Sequence, residues 1–253
     1  LLEKPWIPVL YNNGRYDRVG IRQALTDAHR IRQIAASNPM DRVAIVRFLL
    51  AILYWCRGNP PKDTPDIRST SFPPDWFAKL DEHQECFNLF GSGKRLYQHK
   101  SAKRERTVTD LIQEIPSGNN YWHFRHATDK WDGLCPPCCA MGLLRLPLFA
   151  VSGLPDLKAG INGAPPIYVI PWGKTLFETL SLNWVTIPDI GVPSWSEGAA
   201  PVLDMEIPLL DGLTRLSRLI WLHDPSGPGG ICFSCGVKAD TLIRTCEHQS
   251  AGR

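Results

Sequence analysis

The spacing of apolar and polar positions changes several times along this chain. In "EKPWIPVLYNNGRYDRVGI" two apolar runs flank Asn12-Asn13-Gly14, a turn sequence, and predict a β-hairpin. "IRQALTDAHRIRQIAASNP" places Ile21, Leu25, His29 and Ile31 to Ile34 at helical spacing, and Asn38-Pro39 stops it. His29 falls on the apolar face of that helix and reads as a satisfied core histidine. "MDRVAIVRFLLAILYWCRG" is the clearest helix, with Asp41 as its N-cap and Gly58 as its stop. It is apolar on most faces, so it should be buried.

A Pro-rich linker over 58–74 offers a sub-boundary, and a short helix is expected from Asp75 to Cys86. "TVTDLIQEI" predicts a helix capped by Thr107 or Thr109. "PPCCAMGLLRLPLF" predicts one starting just after Cys135, with Pro136 and Pro137 in the first turn, where no N–H is needed. "IYVIP" reads as a strand, "KTLFETLSLNWV" as a short amphipathic helix, and "GLTRLSRLIWLHDP" as a helical turn running into a strand. No repeat is visible. The expectation is an α+β chain, an irregular mixed globular domain in which long loops hold much of the mass.

Composition narrows this picture. With 253 residues the chain can bury a real core, and 22 Pro, 20 Gly and 9 Trp fit many loops with aromatic anchors. A net charge of +3 is too small by itself to argue for nucleic acid, so local clustering must carry that argument. The longest apolar run, Val43 to Cys56, is interrupted by Arg47 and is too short to span a bilayer. "LLEKPWIP" has no apolar signal region. Cytoplasmic residence with reduced thiols is expected, and with it a metal for the cysteines.

Two Cys-x-x-Cys pairs stand out, Cys135/Cys138 and Cys232/Cys235, separated by residues 139 to 231. Two such pairs can close a tetrahedral Zn²⁺ site, here as a clip between distant segments. Two other readings stay open. One pair is core sulfur, or Cys232, Cys235, Cys246 and His248 (C-x2-C-x10-C-x-H) close a local finger. Cys139 would point elsewhere, and Cys56 and Cys86 fit a core.

Three stretches suit nucleic acid. "GKRLYQHKSAKRER" supplies Lys94, Arg95, Lys100, Lys103, Arg104 and Arg106, six mobile cations for phosphates, against one acid, Glu105. The bland alternative is a solvated loop. In "YWHFRHATDKW", Phe124 can stack on an unpaired base while Arg125, His126 and Lys130 hold the backbone, unless the aromatics pack in the core. "DLKAGING" sets Lys158 and Asn162 beside Gly160 and Gly163, where glycine permits close approach to a groove; an ordinary turn is the plainer reading. His223-Asp224 has no nucleophile placed by sequence and reads as structural.

Taken in order, these motifs resemble the large subunit of Cascade, the type I-E CRISPR surveillance complex. "LLEKPWIPVLYNNGRYDRVGIRQALTDAHRIRQIA" looks like that family's N-terminal hairpin and first helix, and "RVAIVRFLLAILYWCRG" like its second helix. "FNLFGSGKRLYQ", "LCPPCCAMGLL", "KTLFETLSLNWVTIP" and "CFSCG" are similar to its later segments, and the resemblance covers about residues 1 to 240. It implies a non-catalytic subunit that recognises the protospacer-adjacent motif on duplex DNA, helps start unwinding, and docks a helicase-nuclease. The guide RNA reads the long sequence by base pairing; the handling of a short duplex motif by protein is known from another effector class. The implied partners are the other Cascade subunits, guide RNA, double-stranded target DNA and the helicase-nuclease effector, with no membrane. Phe124 aligns with the family's aromatic that stacks at the 5′ handle of the guide.

Two departures are visible. Family members carry a C-terminal four-helix bundle, whereas this chain stops at "CEHQSAGR", so residues 1–253 correspond to the N-terminal type of domain. The family's Gly-rich motif-reading loop matches "AVSGLPDLKAGINGAPP", which keeps Gly153, Gly160 and Gly163 but has Pro155 and Asp156 where glycines are expected. Two further functional classes remain: a zinc-dependent nuclease framed by "CFSCG…TCEH", and a zinc scaffold that binds only protein. The scaffold has no use for the basic and aromatic-basic segments.

Overall fold

A computed structural model describes residues 1–61, 71–100, 103–112, 133–150, 167–196 and 207–250. The chain divides into two compact units, Leu1–Asn88 with Ile167–Arg215, and Leu89–Pro166 with Leu216–Gly252. Mixed helices and small antiparallel sheets make it an α+β structure. Among the described residues no helix is long and apolar enough to cross a membrane.

In the first unit the predicted hairpin forms from β1 (Ile7–Tyr11) and β2 (Tyr16–Val19), with Gly14 at φ +84° making the turn. The stretch read as one helix from Ile21 to Ile34 divides. α1 (Ile21–Thr26) ends at Asp27, and β3 (Ile31–Ile34) joins the other edge of β1 to give the order β2-β1-β3. The reason is a β-bulge: Tyr11 pairs with Ile31 and Leu10 with Gln33, so Arg32 is the extra residue. The bulge lets Ile31 and Ile34 both point inward, an i, i+3 spacing that a helix also shows. His29 lies between the two elements, half-buried, and its Nδ1 finds no hydrogen-bond partner, so it is not the satisfied core histidine expected.

Helix α2 (Pro39–Arg57) is buried on nearly every face. Its cap is Asn38, whose side chain accepts from the Met40 N–H at 2.9 Å; Asp41, expected as the cap, sits in the first turn. Gly58 at φ +77° ends it as predicted. Phe48 and Trp55 each meet Trp195 edge-on, with ring centroids 5.8 Å apart in both cases. Beyond them the Tyr54 hydroxyl donates to the Val185 carbonyl at 2.6 Å and accepts from the Val185 N–H at 2.8 Å. The Asn59 amide treats Ile187 in the same way, at 2.9 Å for each bond. Two side chains thus take the place of a neighbouring strand.

The helix expected from Asp75 to Cys86 is interrupted. A 3₁₀ turn, α3 (Lys79–Glu82) and a second 3₁₀ turn follow one another, with the second break at His83, φ −128°. "IYVIP" forms no strand; Ile167 and Val169 are 89% and 87% exposed, so its apolar alternation is not used for sheet packing. α5 (Leu176–Asn183) forms where predicted and is capped by Thr175, whose hydroxyl accepts from the Glu178 N–H. α6 (Leu209–Thr214) completes the unit against α2.

The second unit is built on β4 (Glu105–Thr107), β5 (Arg218–Leu222) and β8 (Thr245–Ser250), in the order β4-β8-β5. α4 (Pro136–Phe149) forms within the predicted bounds. It packs on the 3₁₀ turn Val108–Leu111, where a Cβ on Gly142 would come within 2.8 Å of Leu111. Thr107 occupies the cap position of that turn but makes no capping hydrogen bond. A two-stranded ribbon, β6 (Gly230–Ile231) and β7 (Lys238–Ala239), brackets the second Cys pair.

Candidate metal centre and basic segment

Four sulfur atoms, those of Cys135, Cys138, Cys232 and Cys235, all lie within 4.8 Å of one another. No other group of three or more Cys, His, Asp or Glu side chains among the described residues gathers in this way. Cys135 occupies the N-cap of α4, and one helical turn brings Cys138 to the same side. The other pair sits on a tight turn. The Cys232 N–H donates to the Val237 carbonyl and the Gly236 N–H to the Cys232 carbonyl, with Gly236 at φ +70°. The halves are fastened by backbone as well. Leu134 and Ile243 exchange both bridge hydrogen bonds at 2.9 Å, and the Phe233 N–H donates to the Gly133 carbonyl.

The electrostatics are those of thiols competing for too few protons. The Cys232 sulfur is held well below the ordinary thiol range. The Cys135 and Cys138 thiols hydrogen-bond to it, as do the backbone N–H groups of Cys135 and Cys235. The Cys135 N–H reaches it at 3.3 Å. Cys138 is pushed far up by its hydrogen bonds with Cys135 and Cys232 and by burial. Cys135 is pushed up to about 12: a hydrogen bond with Cys138 that lowers it is outweighed by one with Cys232 and by burial. One thiolate that accepts from two neighbouring thiols, with a fourth sulfur close by, is a donor set that suits a metal ion.

The local-finger arrangement is not assembled. Cys246 points its sulfur toward the Thr107 carbonyl at 3.8 Å, and His248 Nδ1 lies 3.1 Å from Asp110 Oδ2. Cys139 is fully buried beside the Leu134 carbonyl, Cys86 is buried, and Cys56 is half-buried.

The basic segment does not behave uniformly. Lys94, Lys100, Lys103 and Arg104 are exposed. Arg95 is buried and its guanidinium is taken up by the protein, donating to the Leu222 and Gly91 carbonyls at 2.7 Å each. Arg106 is half-buried on β4, 3.5 Å from Asp110. Phe124, Arg125, His126, Lys130, Lys158, Gly160 and Asn162 lie outside the described residues. His223 Nδ1 lies 2.7 Å from Thr245 Oγ1, and Asp224 lies 3.5 Å from Arg95. The trio of half-buried Arg106 and Asp110 with buried His248 escaped sequence reasoning, because only β-pairing of 105–107 with 245–247 brings it together.

Comparison with known proteins places the chain in a family. The sequence model for "CRISPR-associated protein Cse1" matches residues 1–251. The CRISPR-associated protein CasA/Cse1 of Thermus thermophilus is 32% identical over 220 residues, 81% of this chain and 43% of that protein. The chain thus spans less than half of that relative's length. A crystal structure of Thermus thermophilus CasA superposes with a TM-score of 0.75 at 24% identity, over 99% of this chain and 51% of that one. Thermobifida fusca Cse1 gives 0.73 at 22% identity, over 99% and 51%. A chain of a CRISPR RNA-guided surveillance complex gives 0.76 at 18% identity, over 100% and 56%. At these identities the solved structures speak for the fold, while the sequence match and the 32% identical relative speak for descent. The chain belongs to the CRISPR-associated Cse1 family.

Proposed function

We propose that this chain is the large, non-catalytic subunit of a type I-E Cascade complex, acting with guide RNA and the other Cascade subunits. In this reading it recognises the protospacer-adjacent motif on duplex DNA, contacts the 5′ handle of the guide, promotes unwinding and recruits the helicase-nuclease. The observation that carries the reading is the Cse1 family match over residues 1–251, and the fold shared with a chain of an RNA-guided surveillance complex supports it. Lys94, Lys100, Lys103 and Arg104 would meet phosphates. Phe124, Arg125, His126 and Lys130 would meet the guide, and Lys158, Gly160 and Asn162 the duplex motif.

The metal in this reading is structural Zn²⁺. Zinc–thiolate bonds of about 2.3 Å in a tetrahedron set sulfurs about 3.8 Å apart. Cys135 Sγ and Cys235 Sγ are 3.8 Å apart, the separation that ion requires of this pair, and all four sulfurs lie within 4.8 Å of one another. Zinc held there joins α4 to the β6–β7 ribbon and supplies no reactive position. The nuclease alternative requires Cys246 and His248 beside Cys232 and Cys235, and both are engaged with Thr107 and Asp110 instead.

The test is binding of motif-bearing duplex DNA by the assembled complex, with and without Lys103→Ala/Arg104→Ala. Affinity should fall, and the slope of log K against log salt should shrink by about 2. Equal affinity and slope, or equal binding by a complex lacking this subunit, would refute the proposal.

A further inference from the structure

Nothing in the basic segment by itself says where a nucleic-acid base would sit. Trp221 on β5 supplies a place. Arg95 stacks its guanidinium over the indole, 3.8 Å from the ring centroid, and Lys100 Nζ stands 5.4 Å from the same centroid. Both cations belong to the basic segment. Their positions are fixed by main-chain and buried side-chain contacts rather than by chance at a surface. The His99 N–H donates to the Ile220 carbonyl, the Gln98 amide holds the Leu222 N–H and the Leu89 carbonyl, and Tyr97 turns the loop at φ +53°. Lys100 Nζ is steadied by the Ser92 carbonyl at 2.7 Å.

Trp221 itself is half-buried, on the face of the sheet that also carries Leu219 and Glu247. Its ring contacts are the two cations, Arg95 and Lys100. The acid across the strand, Glu247, lies 4.0 Å from His223 Nε2. An indole backed by a buried guanidinium and beside an exposed lysine combines the two requirements of single-strand binding. These are a flat ring for a base and cations for the adjacent phosphates. A duplex offers no free base face, so the ligand class is an unpaired strand.

We infer that Trp221 is a base-stacking platform for single-stranded nucleic acid, held in place by Arg95 and completed by Lys100. This rests on the nucleic-acid reading of the basic segment given above and adds to it a residue and a ligand class.

The experiment titrates the intact protein with labelled single-stranded DNA and RNA of about 12 nucleotides over a range of salt. Melting curves are recorded for every variant. Trp221→Leu should weaken binding about tenfold with the salt slope unchanged, since no charge is lost. Trp221→Phe should keep most of the affinity, and Lys100→Gln should reduce the slope by about 0.7. The DNA and RNA arms distinguish which strand is preferred. Wild-type binding that Trp221→Leu leaves intact would overturn the platform while sparing the basic segment. No binding of either strand by wild type would overturn both. A loss of affinity that merely follows a collapse in melting temperature, with Trp221→Phe equally impaired, would make Trp221 a fastener for the loop and overturn the inference. Ultraviolet cross-linking of a 5-iodouracil strand to the unaltered protein gives an independent reading. An adduct on Trp221 is expected, and a bound strand with no adduct there sinks the idea.

Discussion

The sulfur of Cys135 lies 3.8 Å from that of Cys235, although 100 positions separate them in the chain. A metal held between them closes a loop of that length, worth about 5 kcal/mol by the entropy argument applied to covalent cross-links. One ion per chain is therefore expected in native mass spectrometry. It should be lost with Cys135→Ser, which also lowers the melting temperature, and kept with Cys246→Ser. Burial and mutual hydrogen bonding hold Cys135 and Cys138 as thiols, so metal binding must expel protons. Affinity should fall as pH falls, and competition with a chelator dye at two pH values measures it. Loss of the ion with Cys246→Ser alone would contradict the geometry.

Arg95 and Lys103 sit in one basic segment and should respond to mutation in different ways. The Arg95 side chain is 5% exposed, fills the space over Trp221 and bonds two carbonyls. Arg95→Ala should cost about 2–3 kcal/mol in urea unfolding, through unpaired carbonyls and lost packing. Lys103→Ala should change stability by less than about 0.5 kcal/mol and show its effect only in binding. Equal stability losses would mean that the segment is not divided in this way.

Gly133 and Gly14 both hold positive φ, at +122° and +84°. A Cβ on Gly133 would fall 2.3 Å from the Ile243 carbonyl oxygen, whereas one on Gly14 meets nothing within 4 Å. Gly14→Ala should cost about 1 kcal/mol of backbone strain. Gly133→Ala must also push apart the bridge between Leu134 and Ile243, and should cost about 3 kcal/mol and weaken metal retention. Chemical denaturation and metal analysis on the pair of variants check both statements.

Cys246 is fully buried, and burial, with Asp110 close by, pushes its thiol up to about 12 from an ordinary 9.0. A group with a raised folded value favours folding in its neutral form. That contribution is complete below about pH 9 and is lost as pH rises toward 12. Urea midpoints should therefore fall through this window, and Cys246→Ala should fall less steeply. Identical slopes for the two proteins would exclude the thiol as the cause.

How much of this was legible in the sequence depended on whether the signal was local. The hairpin at Asn12-Asn13-Gly14, the run from Val43 to Cys56, the helix after Cys135 and both Cys-x-x-Cys turns are encoded by neighbours, and each is present. β3 was hidden because a bulge gives Ile31 and Ile34 a helical spacing. β8, "TCEHQS", was hidden because its charged and polar residues are tolerated through pairing on both sides with β4 and β5. Asp110 and His248 meet through that pairing, and Arg95 and Trp221 through the docking of residues 95–99 on β5, neither of which any spacing rule contains. The partition of the basic segment was invisible for the same reason: burial of Arg95 is decided by the Leu222 carbonyl, far along the chain.

The alternation of the chain between its two units has a consequence for synthesis. Neither unit is made from one uninterrupted stretch, since Leu1–Asn88 is completed only by Ile167–Arg215 and Leu89–Pro166 only by Leu216–Gly252. Tyr54 receives its backbone partner, Val185, 131 positions later. At about 5–20 residues per second the ribosome leaves α2 without that partner for on the order of ten seconds. During that interval a helix apolar on nearly every face is exposed to the cell. The nascent protein should therefore depend on chaperones that shield α2, and its soluble yield should rise when elongation past α2 is made faster.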